Sequence, residues 1–458
     1  MMFKKKNMFI RISKAVVFIS VIAITVSSCG ITKPYVQPAA PSQDLYRDVV
    51  ATDTNTIATL SWQEIFTDVP LQNLIETGIN NNLDLLSAYS RIQVAQAFYL
   101  QSRASLLPSL NLLGNAEHSN STQFQLGFNS TWEIDIWGKL GSAKRAELAN
   151  LLQTEAAAKA VQTSLVSTIA TYYYQLLALD QQLRITEQTV ENWKTTVTTI
   201  RALKVAGRVT EAAVVQSEAQ QYAAEVTIPD LKQSIREFEN ALSILMGSSP
   251  STIERGRLEN QQITTDLRTG VPAQLLANRP DVQQAELNLR QYFELTNVAR
   301  ASFYPSISIT GSAGQYASSL GNLFDSGSSL ARIGGGLLQP IFNNRANKTR
   351  LEVAEAQQQE ALYNFQSTLL NAGQEVSNAI SLYTTSLAKR SVRERQIDAL
   401  EKSVSYSQEL LENGFAIYTE VITARQSLLQ AELAEVNDRL QQFRSVIDLY
   451  RAVGGGWR

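Results

Sequence analysis

Glu133 and Asp135 flank Ile134 in the stretch TWEIDIWGKLG, Thr131 to Gly141, and two carboxylates at that spacing can do acid–base chemistry. Residues i and i+2 of a strand stand about 6.5–7 Å apart, close to the separation a glycosidase uses. Such a pair works where its surroundings push the two pKa values apart. No apolar pocket flanks these two in the sequence. They continue a series of alternate polar positions that begins at Gln123. Glu133 and Asp135 therefore read as the wet wall of a lumen, and no catalytic residue is expected.

Other chemistry is scarce. The chain has one histidine, His118, and one cysteine, Cys29, whereas a zinc site needs three or four such ligands. GKLGS, Gly138 to Ser142, lacks the upstream glycine and the Ser/Thr that a phosphate loop needs, and no G-x-G-x-x-G stands at a strand–turn–helix. Neither an enzyme nor a cofactor or metal is expected. The 40 Lys and Arg nearly balance the 42 Asp and Glu. Beyond residue 28 the balance is 35 against 42, which argues against nucleic acid as a partner.

The first 28 residues read as a targeting segment. Lys4, Lys5, Lys6, Arg11 and Lys14 precede AVVFISVIAITV, a run of 12 residues too short to span a bilayer. VSSCG follows. Small residues before the lone cysteine look like a lipoprotein processing site that leaves Cys29 as an acylated N-terminus. An ordinary signal peptide with an incidental cysteine is the alternative. Cys29 falling where the apolar run gives way to small residues favours the lipid. TKPYVQPAAPSQ then reads as a Pro-rich tether. One acyl chain alone anchors reversibly, so further membrane contact is expected.

The chain is written twice. RASLLPSL, Arg103 to Leu110, returns as RASFYPSI, Arg300 to Ile307, at an offset of 197; Glu147 matches Glu352 at 205 and Gly207 matches Gly414 at 207. A steady offset with small insertions marks an internal duplication. Each copy predicts a helix, two strands, a very long helix, a glycine break and a medium helix. The long helices cover 139–206 and 344–413, roughly 100 Å each. In the first, Ile169, Tyr172, Leu176, Leu179, Leu183, Thr186, Val190, Trp193, Val197 and Ile200 alternate spacings of three and four, a coiled-coil seam. The shorter helices, 71–106 with 208–246 and 273–303 with 415–452, stack in pairs that match one long helix. The expected fold is mostly α.

The strands complete it. Phe124, Leu126, Phe128, Trp132, Ile134 and Ile136 alternate with the polar series over 124–136, apolar outward and polar inward, as in a transmembrane barrel. Pro305 to Ala313 repeats the pattern, and 106–117 and 329–341 follow it more weakly, the last loosened by Gly334, Gly335 and Gly336. Two hairpins turn around HSNST and YASSLGNLFDSG. Four strands cannot close around a lumen, and open edges are forbidden in lipid. Several copies must therefore share a barrel, of eight strands from two copies or twelve from three.

NNLDLLSAYSRIQVAQAFYLQSRASLLPSL, TWEIDIWGKL, the block LLANRPDV through FYPSISITGSAG, LLQPIFNNR and LYRAVGGGW resemble the TolC-like outer membrane factors, in particular the NodT-type efflux lipoproteins. The resemblance covers Trp62 to Trp457. It implies a homotrimer in the outer membrane of a Gram-negative bacterium, with a twelve-stranded β-barrel, four strands per chain, on a long α-helical periplasmic barrel. It implies an exit duct for an inner membrane pump of the resistance-nodulation-division type, joined by a periplasmic adaptor. Ducts for type I protein secretion or metal efflux are the alternatives, and a purely structural coiled-coil lipoprotein is a further one. The resulting parts are a signal peptide at 1–28, a lipidated tether and equatorial segment at 29–70, repeat one at 71–248, an equatorial linker at 249–272, repeat two at 273–453 and a tail at 454–458.

Two sites follow from this resemblance. Gly207 with Arg208 and Gly414 with Phe415 mark the periplasmic tips expected to meet the adaptor. Beyond the second tip the family carries a short apolar run punctuated by Asp residues facing the axis. This chain has YTEVITARQS, with Glu420 at one such position and Thr423 at another. One acidic ring is expected rather than two, with Tyr418 a candidate for hydrogen bonds that close the tube.

Overall fold

The computed structural model describes residues 31–39, 45–47, 56–119, 121–263, 269–270 and 272–458. Cys29 and the targeting segment lie outside the described residues. Four strands, β1 (Ser109–His118), β2 (Thr122–Ile134), β3 (Ser306–Ala317) and β4 (Ser329–Leu338), accompany eight principal helices among the described residues. These are α1 (Val69–Asn81), α2 (Leu83–Ala104), α3 (Lys139–Val205), α4 (Glu211–Glu225), α5 (Thr227–Leu245), α6 (Pro280–Ala301), α7 (Ala346–Asn413) and α8 (Tyr418–Ala452). The chain divides into two compact units.

The unit built from 92–154, 284–365 and the described part of 1–38 carries the sheet. Its strands run antiparallel in the order β1-β2-β3-β4. The two repeats thus join at β2–β3, where Trp132 faces Ile309 and Gly127 faces Gly314. A Cβ on Gly127 would stand 2.7 Å from the Ala313 carbonyl oxygen, so the backbones approach too closely for a side chain there. Every residue of β1 and of β4 is exposed, which leaves both sheet edges bare in a single chain. Aromatic residues gather where strands meet helices. Trp132 Nε1 donates to the Leu106 carbonyl oxygen at 2.9 Å, Trp137 Nε1 donates to that of Pro305 at 2.7 Å, and Trp137 packs on Tyr304. Such residues suit a membrane interface.

The same unit differs from the sequence expectation at its tether. Thr32 to Gln37 does not hang free but lies along α6. The Lys33 backbone N–H donates to Asn297 Oδ1 at 3.1 Å, and Asn297 Nδ2 donates back to the Lys33 carbonyl oxygen at 2.9 Å. A buried amide side chain thus reads one extended peptide unit as a neighbouring strand would. Tyr35 adds an edge-on contact with Phe293 and donates its hydroxyl to Glu286 at 2.8 Å.

The second unit, 155–283, 366–458 and the described part of 39–91, carries the packing of α3 from residue 155 onward and the terminal motifs. Ile169, Leu176, Val190, Trp193, Val197 and Ile200 of the α3 seam are buried. Burying each such side chain contributes roughly 1.5–3 kcal/mol. The helix expected over 71–106 is broken at Asn82, which is buried, accepts from the Leu85 N–H at 3.0 Å and donates to the Leu245 carbonyl oxygen at 2.9 Å. The one expected over 208–246 breaks at Val226, just before Pro229, a residue with no N–H to give a preceding turn. NRPDV and GGGW meet in this unit. Buried Arg279 forks onto Asp281 at 3.0 and 2.6 Å and reaches Glu375 and the Ala452 carbonyl oxygen. Trp457 Nε1 donates to the Asn278 carbonyl oxygen at 3.0 Å, and the Lys159 ammonium stands 4.5 Å above its ring.

Candidate channel site

The two glycine turns are built alike. At the first, Gly207 takes φ +72° and the Arg208 N–H donates to the Leu203 carbonyl oxygen at 2.9 Å. At the second, Gly414 takes φ +80° and the Phe415 N–H donates to that of Leu410 at 2.8 Å. Both bonds close a left-handed helix cap that glycine adopts without steric cost. The two turns also touch. Arg208 Nη1 donates to the Glu412 carbonyl oxygen at 3.0 Å, and its guanidinium occupies the space a Cβ on Gly414 would need. Phe415 remains 82% exposed, a large apolar ring that no described residue covers.

Beyond the second turn α8 begins. Glu420 lies in its first turn, where the positive end of the helix dipole favours a carboxylate. Glu420 and Thr423 are both exposed and three residues apart, so they share one face of α8. Tyr418 is placed differently. Its ring packs against the cluster of Val190, Trp193, Ala224 and Ile422 and against that of Ile200, Ala213 and Val214. Its ring thus packs between α3, α4 and α8.

Sequence reasoning overlooked Arg425 and Glu432, two turns apart on α8. Both line a cavity of about 310 Å³ against Arg184 and Trp193 of α3. Arg425 Nη2 donates to Gln408 Oε1 at 2.7 Å, and its enclosed Nε has no acceptor among the described residues. Burial holds this guanidinium below its ordinary pKa. Burial also pushes the Glu432 carboxyl up, helped by the nearby Glu401 and Glu435. The apolar i, i+3, i+4 pattern of α8 gives no sign of either.

Glu133 and Asp135 do not act as a pair. Glu133 stays on β2 and takes an ion pair with Lys139 at 3.0 Å. Asp135 lies past the strand's end, and its carboxylate accepts the N–H groups of Leu140 at 2.9 Å and Gly141 at 2.6 Å, capping α3. The parity of the strand carries on through Asp135 in the sequence, but the chain turns there.

A four-stranded sheet with bare edges, long paired helices and matching helical turns define a subunit of a membrane duct. The chain belongs to the outer membrane efflux protein family, whose model matches residues 74–248 and again 271–455. It is 28% identical to the cation efflux system protein CusC of Escherichia coli (strain CFT073) over 449 residues, covering 95% of this chain and 98% of the relative. It is 29% identical to the toluene efflux pump outer membrane protein TtgI of Pseudomonas putida over 454 residues, covering 95% and 97%. The open-state MtrE outer membrane channel of Neisseria gonorrhoeae superposes with a TM-score of 0.85 at 25% identity, covering 94% of this chain and 99% of that one.

The protein is thus an outer membrane channel of a tripartite efflux system. Three copies form a twelve-stranded β-barrel and a helical periplasmic barrel, and the trimer works with a periplasmic adaptor and an inner membrane pump of the resistance-nodulation-division type. It resides in the outer membrane of a Gram-negative bacterium and extends into the periplasm.

Proposed function

We propose that this channel exports small molecules handed from the pump through the adaptor, without chemistry of its own. The observation that carries this reading is the sheet, whose outer strands β1 and β4 are exposed along their whole length. In hydrocarbon every backbone polar group needs a partner. Edge strands of neighbouring copies satisfy one another when β1 of one pairs with β4 of the next, and three such seams close a lumen.

Residue roles follow. Cys29 is the acylated residue, a second membrane attachment beside the barrel. Gly207, Arg208, Gly414 and Phe415 form the end that meets the adaptor, with exposed Phe415 as its apolar contact. Glu420 faces the pore, and Thr423 stands where a second acidic ring would be. Glu133 belongs to the wet wall, while Asp135 serves the helix cap. The repeats, 71–248 and 273–453, are the units that give each copy two hairpins and two helical turns.

Cysteines introduced by pairs into β1 and β4, such as Leu112→Cys with Ile333→Cys, test the arrangement. Oxidation in membranes should give covalent trimers that reduction releases, in at least one of several neighbouring registers. Crosslinks confined within single chains at every register would overturn it. A second reading, metal-ion efflux, is favoured by the likeness to a cation efflux protein. It expects a deletion strain to become sensitive to metal cations rather than to organic solvents and drugs.

A further inference from the structure

Behind the docked segment Thr32 to Gln37 lies a cavity of about 680 Å³, lined by that segment, by Arg145 of α3 and by Glu286, Arg290 and Glu294 of α6. Its charges are unevenly committed. Glu294, 2% exposed, accepts from Arg145 Nε at 2.8 Å and Nη2 at 3.0 Å, and from Asn297. Glu286 accepts the Tyr35 hydroxyl. Arg145 is spent on Glu294.

Two cations remain. The Arg290 guanidinium centre lies 5.8 Å from the Tyr35 ring, and its enclosed Nε has no acceptor among the described residues. Lys33 is exposed, and its ammonium has no carboxylate within ion-pair distance among the described residues. An enclosed guanidinium N–H without an acceptor is a costly arrangement, and an oxyanion relieves it best, by a two-point hydrogen bond. A flexible ammonium adds a point charge beside it. Three cations against two carboxylates leave the cavity with a surplus positive charge.

We propose that this cavity is a phosphate-binding site, with Arg290 as its fork and Lys33 as its second cation. The docked segment forms one wall, so the site exists only while Asn297 holds Lys33. Phosphate chemistry could come from a free anion or from an anionic lipid headgroup, and both can be tried.

The test uses purified full-length trimer at low ionic strength. Calorimetric titration with inorganic phosphate should show one saturable site per subunit. Arg290→Gln should weaken it at least tenfold and Lys33→Gln several-fold, while Arg345→Gln, in an exposed ion pair with Glu352, should leave it unchanged. Heat-stable trimer migration controls for folding. If a lipid is the natural source, vesicles of phosphatidylglycerol should compete with inorganic phosphate and those of phosphatidylcholine should not. If a free anion is, neither should compete. No saturable binding, or equal binding by the well-folded Arg290→Gln trimer, would overturn the proposal.

Discussion

Arg208 and Gly414 fit together across the two repeats: the guanidinium donates to the Glu412 carbonyl oxygen at 3.0 Å and fills the space that a side chain at 414 would take. Gly414 therefore meets two demands, a left-handed φ of +80° and room for Arg208. A duplicated chain has tied its own two turns together at the end proposed to meet the adaptor.

Gly414→Ala should cost about 1–2 kcal/mol for the left-handed backbone alone, and more for the displaced guanidinium. With a photo-crosslinker at Phe415, capture of the adaptor should drop several-fold while trimers still assemble. Adding Arg208→Ala should recover part of the loss, because it removes the clash and not the strain. A crosslinker at His118 should capture no adaptor. Equal capture at Phe415 and His118 would place the adaptor elsewhere.

The seam between the repeats depends on the facing pair Gly127 and Gly314. Gly127→Ala forces a methyl against the Ala313 carbonyl oxygen and should cost roughly 1–3 kcal/mol as strands separate. The yield of heat-stable trimer in the outer membrane should fall. Gly311→Ala is the control, since a Cβ there meets nothing nearer than 4.0 Å. Similar yields from the two variants would show that the close approach is not needed.

Glu432 makes stability depend on pH. Its carboxyl is raised in the folded chain, chiefly by burial. The native state then holds its proton more tightly than the unfolded state, so stability falls as pH rises above the ordinary carboxylate range and stays lost beyond the folded pKa. Glu432→Gln should melt like the unmodified protein near pH 4 and slightly higher at pH 7, by on the order of 1 °C. A lower melting temperature at pH 7 would mean that the carboxylate has a cationic partner in the trimer.

Three Glu420 carboxylates around a narrow axis would repel in pairs by about 0.7 kcal/mol at 6 Å in water, and more in a confined pore. Such a ring favours cations and cannot by itself hold the tube shut. Glu420→Gln should lower cation preference and weaken block by divalent ions from the periplasmic side. Unchanged selectivity and block would put the carboxylate on the outer face.

Repeating patterns carried most of the fold. The seam residues Ile169 to Ile200 and the alternation from Phe124 to Ile134 report a long helix and a barrel strand because burial repeats at each element's own period. Single tertiary contacts left no such trace. Asn82 breaks a helix through a bond to the distant Leu245, and Asn297 fixes a segment that its prolines mark as a loose tether. Asp135 has a strand residue's parity, yet it caps α3 because Gly138 turns the chain at φ +71°. Of the candidate site, the two turns show in the sequence as Gly207 and Gly414, whereas Glu420 enters only through the family resemblance. Arg425 and Glu432 were not legible, since their burial depends on α3 packing against α8.

The central claim is that three copies make one conducting duct. Planar-bilayer recording of the purified trimer tests it most directly. Each insertion should give a single discrete conductance step, one pathway per trimer rather than three. Heating to monomers should abolish all steps. Silent bilayers from a heat-stable trimer, or steps that persist with monomers, would contradict the account.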